Sequence, residues 1–247
     1  MITLLKIKKC FREGIAGRRV VALSSLSLGI SRGEVFGFLG PNGAGKSTSI
    51  KVLLNLIRPD AGKATILDRD VSDRRVRRQV GYLPENPYFY DYLNADELLW
   101  FGGRSSGMSA ADLRNKIPAL LERVGLLEAR KRPLRTYSKG MVQRAGLALA
   151  LIHDPAVVIL DEPMSGLDPV GRKMVGDLIL DLKHQGKTVF FSSHILNDIE
   201  RFCDRIGIIA GGRLRLVGEL DKVVPAGETL EGLFLRAIAD DFGGLPS

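Results

Sequence analysis

Little in this sequence points toward covalent cross-linking or toward a membrane span. Only two cysteines occur, Cys10 and Cys203, far apart and in unlike contexts. They make neither a disulfide framework nor a metal-ligand cluster, so a reducing cytoplasm is the expected setting. No apolar run approaches the roughly eighteen residues a membrane helix needs; Leu147 to Ile152 and Val157 to Leu160 are both too short. Met1 to Lys6 lacks the basic region, apolar run and small-residue cleavage site of a signal peptide. There is no internal repeat and no low-complexity tract. What remains is an ordinary globular composition, 45% hydrophobic and 26% charged, over 247 residues. That length buries one large core, or a core with a small subdomain.

The net charge of +8 raises the question of an anionic partner. Its local sources are Asp73 to Arg78 and Arg130 to Arg135. Neither run has the interleaved aromatics of a single-strand binder, so no direct nucleic-acid contact is expected. Solvated helix faces near anionic lipid or ligand fit these runs better.

One stretch carries its own mechanism. Gly40-Pro41-Asn42-Gly43-Ala44-Gly45-Lys46-Ser47 fits G-x-x-x-x-G-K-[ST], with Thr48 following. Val35 to Leu39 reads as a buried strand before it, and Lys46 to Ile57 as a helix after it. Glycines there let consecutive N–H groups curl into an anion nest at a helix N-terminus, where the dipole also favours negative charge. Lys46 would reach the outer phosphates of a nucleoside triphosphate, and the Ser47 hydroxyl would hold Mg2+.

Around that stretch, residues 2–8 and 20–30 have strand character, with Leu26, Leu28 and Ile30 alternating against Ser25, Ser27 and Gly29. Ala64 to Leu67 and Val80 to Leu83 read as strands, and Asp73 to Arg78 as a short basic helix. From Pro84 to about Asp154 the pattern turns helical. Asn94 and Ser109 are expected caps, and Pro118 is expected to kink or restart the second helix. Strand and helix then alternate: Val157 to Leu160, Pro169 to His184, Lys187 to Ser192, Ile195 to Phe202 and Arg205 to Ala210. A Gly211-Gly212 hairpin leads into Leu214 to Val217. The spacing predicts an α/β fold with a three-layer core and a helical insertion.

The strand Val157 to Leu160 ends in Asp161-Glu162-Pro163. Asp161 can hold Mg2+ through water, and Glu162 can polarise an attacking water. Taken alone the two acids could equally be a strand-end turn. Ahead of Asp161 by 23 residues stands Tyr137-Ser138-Lys139-Gly140-Met141-Val142-Gln143-Arg144, and after it Ser165-Gly166-Leu167-Asp168 and then His194. In this order the chain resembles the nucleotide-binding domain of ATP-binding cassette (ABC) transporters over nearly its whole length. The resemblance implies a P-loop NTPase core with an antiparallel β subdomain over residues 1–218, a helical subdomain over about 85–154, and a short C-terminal extension over 219–247. It matches Ser138 and Gly140 to the signature that binds the γ-phosphate of a nucleotide held by a partner subunit, Asp168 to the D-loop, and His194 to the switch histidine. Ser138 also reads as the start of a helix, whose free N–H groups suit a phosphate.

Three positions depart from the family pattern. Phe11 stands where the adenine-stacking Tyr is usual; stacking needs only an aromatic face, although core packing would account for Phe11 as well. Glu85 replaces the Q-loop glutamine and could face Mg2+ and the attacking water. Lys139 and Met141 replace Gly and Gln in the signature. Glu85 and the Ser-Lys-Gly-Met form are similar to the ABC-2 branch, mostly exporters. The resemblance therefore implies an ATPase using ATP and Mg2+ at the cytoplasmic face of the membrane, as a peripheral subunit. Its expected partners are a second ATPase subunit, as a homodimer, and an integral membrane permease subunit. The exposed-aromatic candidate for docking that partner is Tyr88, Phe89, Tyr90 and Tyr92; the alternative is that these rings pack the insertion. A soluble cassette ATPase acting on nucleic acid or ribosomes stays open as the second reading. A cassette that binds ATP without turnover is the third.

Overall fold

The computed structural model describes residues 1–14, 17–225 and 227–239. Along the chain the elements are β1 (Ile2–Glu13), β2 (Arg18–Ile30), β3 (Val35–Leu39), α1 (Lys46–Leu53), β4 (Ala61–Ile66), β5 (Arg69–Asp70) and α2 (Arg74–Arg77). Next come β6 (Val80–Leu83), α3 (Ala95–Ser105), α4 (Ala110–Arg123), α5 (Lys139–Leu151), β7 (Val157–Asp161) and α6 (Pro169–His184). The last are β8 (Thr188–Ser193), α7 (Leu196–Phe202), β9 (Arg205–Ala210), β10 (Arg213–Glu219), α8 (Leu220–Val223) and α9 (Leu230–Ile238). This mixed α/β chain divides into two compact units, one of Met1–Arg77 with the chain from Phe190 on, the other Arg78–Val189.

In the first unit, β2-β1-β4-β5 form an antiparallel sheet. Leu26, Leu28 and Ile30 are buried while Ser25, Ser27 and Gly29 are less so, as the alternation requires. Both long strands exceed the expected 2–8 and 20–30, because bulges break their period. Lys6 and Ser25 have φ of 51° and 63°, and the β1–β2 register shifts between Leu4 and Ile7. The burial phase therefore jumps from Leu4 to Ile7 and from Leu23 to Leu26. β4 starts three residues earlier than expected, since Ala61, Gly62 and Lys63 are exposed and give no apolar signal.

The same unit holds strands in the order β10-β9-β3-β8. β3 is buried at every residue and runs parallel to β9, with Leu39 opposite Ile208. Phe36 and Phe38 meet Phe190 of β8 with ring centroids 6.1 and 5.4 Å apart. α1 ends at Leu53 rather than Ile57. Asn55 adopts φ 52°, and Leu56 N–H donates to the Lys51 carbonyl at 2.9 Å, which closes the helix although the apolar pattern continues. The hairpin at Gly211-Gly212 is present, joining β9 and β10 in antiparallel pairing. α9 packs on β9 and α7 through buried Leu230, Leu233 and Ile238, so the apolar patch of the expected C-terminal extension docks on this unit. Residues 240–247 of that extension lie outside the described residues.

The second unit contains the expected insertion together with β6, β7 and α6. β6 and β7 pair in parallel, Leu83 opposite Leu160. Asn94 closes a capping box with Glu97 at the start of α3, and Ser109 caps α4. α4 runs through Pro118 without restarting. Leu99, Leu113 and Leu121 are fully buried on the facing sides of α3 and α4. Of the four clustered aromatics, Tyr88, Tyr90 and Tyr92 are 93%, 64% and 63% exposed, so packing does not account for them. Phe89 alone turns inward, to the backbone of α5 at Gly146.

Candidate active site

The first unit holds the phosphate loop. Strand β3 stops at Leu39, and the chain crosses Gly40 to Gly45 before α1 begins at Lys46. A Cβ at Gly40 would collide with the Ile209 carbonyl oxygen, and one at Gly45 would lie 2.8 Å from the Ala22 carbonyl oxygen. Gly45 also has φ 110°, which L residues with a Cβ avoid. The first helix-type bond is made by Ser49 N–H to the Gly45 carbonyl at 2.9 Å, so the N–H groups before it belong to the loop mouth. Lys46 is only 7% exposed and its ammonium donates to the Gly40 carbonyl at 2.6 Å. It is folded over the loop that it would close around an anion. Ser47 and Thr48 are half-buried at the helix start. A backbone nest, a buried cation and a hydroxyl oxygen fit a triphosphate with a hard divalent cation.

One brace of this loop escapes sequence reasoning. The Gly212 N–H donates to the Ala44 carbonyl at 3.0 Å, and the Ser24 N–H to the Gly212 carbonyl at 2.8 Å. The β9–β10 hairpin thus ties the loop to β2. Gly211-Gly212 signals a tight turn in the sequence, but nothing there says what the turn touches. Phe11 and His194 lie in this same unit. Phe11 on β1 is 37% exposed with the Lys9 ammonium 5.6 Å from its ring centre, so it is not a core residue. His194 follows β8 and is exposed, and the Ser193 hydroxyl beside it accepts from Ile195 N–H at 3.0 Å.

The second unit gathers the acids and the signature. Asp161 closes β7 and is 4% exposed; Glu162 is 8% exposed. Glu162 has φ 50°, a left-handed conformation that costs a residue with a Cβ about 1–2 kcal/mol. The strand therefore ends in a sharp turn at the glutamate, closed by Ser165 N–H donating to its carbonyl at 3.0 Å. On neighbouring β6, burial and the Asp161 carboxylate push the Tyr82 phenol up to about 12, so it stays neutral beside the acids.

Ser138 caps α5, accepting from Met141 N–H at 3.2 Å, and is exposed. The Lys139 stem lies over Gly166, and Leu167 reaches toward Gly140, so the start of α5 packs on the turn that follows Glu162. Asp168 caps α6, its carboxylate accepting from Gly171 N–H at 2.7 Å. That cap is a structural duty which the sequence match to a D-loop does not reveal. Glu85 is exposed after β6. Gln143, part of the signature stretch but given no role from the sequence, is 1% exposed and directs its amide at the Glu162–Pro163 carbonyls.

The profile of the ABC transporter family matches residues 23–165, from β2 through the signature to the turn after Glu162. The chain belongs to that family. An uncharacterized ABC transporter ATP-binding protein of Synechocystis is 50% identical over 92% of this chain; the chain spans 65% of that protein's length. The lantibiotic transport ATP-binding protein SrtF of Streptococcus pyogenes is 37% identical over 96% of this chain and 97% of its own length. The Nod factor export ATP-binding protein I of a Bradyrhizobium species is 38% identical over 90% of this chain and 72% of its own. Among solved structures, a dimer of the ATP-binding cassette MJ0796 in a post-hydrolysis state with ADP and Pi matches with a TM-score of 0.80. Its identity is 27%, over 89% of this chain and 99% of that one. The fold is that of the ABC ATPases, with the phosphate loop and acid-tipped strand of a P-loop NTPase, and the chain is an ATP-binding protein of that kind.

Proposed function

We propose that this chain hydrolyses ATP in a head-to-tail dimer and drives export through a separate integral membrane permease subunit. The observation that carries the reading is a single chain with one phosphate loop and one exposed, Ser138-capped helix start. Each is half of a nucleotide site, and two-fold pairing of two copies makes two whole ones. Lys46 and the N–H groups of Gly43 to Thr48 hold the phosphates, and Phe11 stacks on the adenine. Glu162 takes the proton of the attacking water, while His194 donates toward the γ-phosphate. Ser138 and Gly140 of the second copy close over that phosphate, with Asp168 beside them. Ser47, Asp161 and Glu85 would hold Mg2+, which supplies charge neutralisation on the transferred phosphoryl group. Residues 1–218 make up the cassette, with the helical insertion over 85–154.

Export is supported by the names of the lantibiotic and Nod factor relatives and by the Ser-Lys-Gly-Met signature with Glu85. Among the described residues no helix is long and apolar enough to cross a membrane, so the transport path belongs to another segment or subunit. Tyr88, Tyr90 and Tyr92 offer the permease an exposed aromatic face beside Glu85, with the Tyr90 and Tyr92 rings 5.7 Å apart. The site then sits at the cytoplasmic face of the membrane. Purification of the tagged protein from its native cells tests this: an integral membrane subunit should copurify from solubilised membranes. A protein recovered without one, and bound instead to RNA or ribosomes in a salt-sensitive way, contradicts it.

A further inference from the structure

Gln143 lies five residues after Ser138, about 7.5 Å along α5. Its Nε2 is 3.5 Å from the Glu162 carbonyl oxygen and 3.4 Å from that of Pro163, a long donor shared by two acceptors. At 1% exposure a Met or Leu would fill the same space without an amide to satisfy. What the amide faces explains its presence. The Glu162 carbonyl belongs to the residue held at φ 50°, and that dihedral sets the direction of the Cα–Cβ bond from which the carboxylate extends. Were φ to relax to the ordinary negative range, Cβ would swing away and the carboxylate would leave its position. The Ser165 N–H donates to the same carbonyl at 3.0 Å. Two donors therefore clamp one carbonyl, one from the turn itself and one from the signature helix.

We propose that Gln143 is a positioning residue for ATP hydrolysis, acting through the backbone of Glu162. The proposal rests on the ATPase reading above. Gln143 is buried against the Glu162–Pro163 backbone; it keeps the strained turn from relaxing and so keeps the general base aimed. Because Ser138 caps α5, the first turn and a half of that helix joins the serine that meets the partner's nucleotide to the glutamate that serves this chain's own. Closure at one site is thereby tied to base alignment at the other.

The test uses the full chain as Gln143→Met and Gln143→Glu, with steady-state ATP turnover measured across pH alongside melting temperature. Gln143→Met removes the donor at nearly constant volume. Its kcat should fall about tenfold or more, with KM for ATP within about twofold of native, since a small misplacement of a reacting group is enough for such a loss. Gln143→Glu adds a signature that packing alone does not produce. A buried carboxyl has a raised pKa and, while protonated, donates an O–H to the two carbonyls; once ionised it repels them. Its kcat relative to native should therefore decline as pH rises, a trend absent from Gln143→Met. Native kcat in Gln143→Met overturns the proposal. So does an equal loss in both variants at every pH accompanied by a lowered melting temperature, which is the mark of packing. Failure of the ATPase reading looks different: the native chain itself would turn over no ATP, and the proposal falls with it.

Discussion

At Gly45 the backbone runs at φ 110° and ψ 5°, and any Cβ there would meet the Ala22 carbonyl oxygen of β2 at 2.8 Å. Two penalties coincide, a dihedral that L residues avoid and a contact with backbone that cannot step aside. Gly45→Ala should lower the unfolding free energy by about 2 kcal/mol or more and weaken ATP binding, as read by denaturant titration and nucleotide titration of the same sample. A variant as stable and as tight as native contradicts this account of the loop. Residue identity at such points is legible in the sequence because the chemistry demands particular types at fixed spacing. Gly40, Gly45, Lys46, Asp161 and Glu162 are all identifiable from their motifs. The left-handed turn at Glu162 is not, because a glutamate there carries no local signal of positive φ. The role of Gln143 is likewise not legible in the sequence, although the signature stretch includes it: its meaning lies in two carbonyls on another segment.

Among elements, caps are the readable part. Asn94, Ser109 and Ser138 each stand one residue before a helix and accept from its first-turn N–H groups. Extents are less readable wherever a single residue changes the period. Lys6 and Ser25 shift the burial phase of β1 and β2, and Asn55 ends α1 while Leu56 and Ile57 continue its apolar pattern. At the far end of α5, His153 is half-buried with its Nε2 donating to the Val80 carbonyl of β6 at 3.2 Å. Burial holds its pKa below the ordinary 6.5. The unfolded chain therefore binds the proton more readily, and stability should decline as pH falls below about 6.5. The neighbouring Asp154, bonded to Lys187, is depressed as well, by its partner's donated hydrogen bond rather than by burial, so its contribution persists until pH falls below about 3.8. Equilibrium unfolding of native and His153→Gln proteins between pH 7.5 and 5 separates the two, since roughly one pH unit on either side of each pKa is what each group spans. The slope should flatten in the variant, and an unchanged slope means that another group governs that range.

At the scale of the molecule, composition excludes more than it specifies. Scarce cysteine and short apolar runs remove disulfide frameworks and membrane helices, while the +8 charge names no partner. The ordered series from phosphate loop to His194 supplies the architecture, because each motif fixes the strand or helix that carries it. On the proposed reading a single chain holds only half of each nucleotide site, and the account turns on that point. Glu162→Gln keeps the size of the side chain and removes the carboxylate proposed as the base. Purified with ATP and Mg2+ and followed by light scattering and phosphate release, this variant should bind ATP, stop hydrolysing it and accumulate as a dimer of twice the chain mass. A Glu162→Gln protein that releases phosphate at the native rate, or that stays monomeric at saturating ATP, contradicts the central claim.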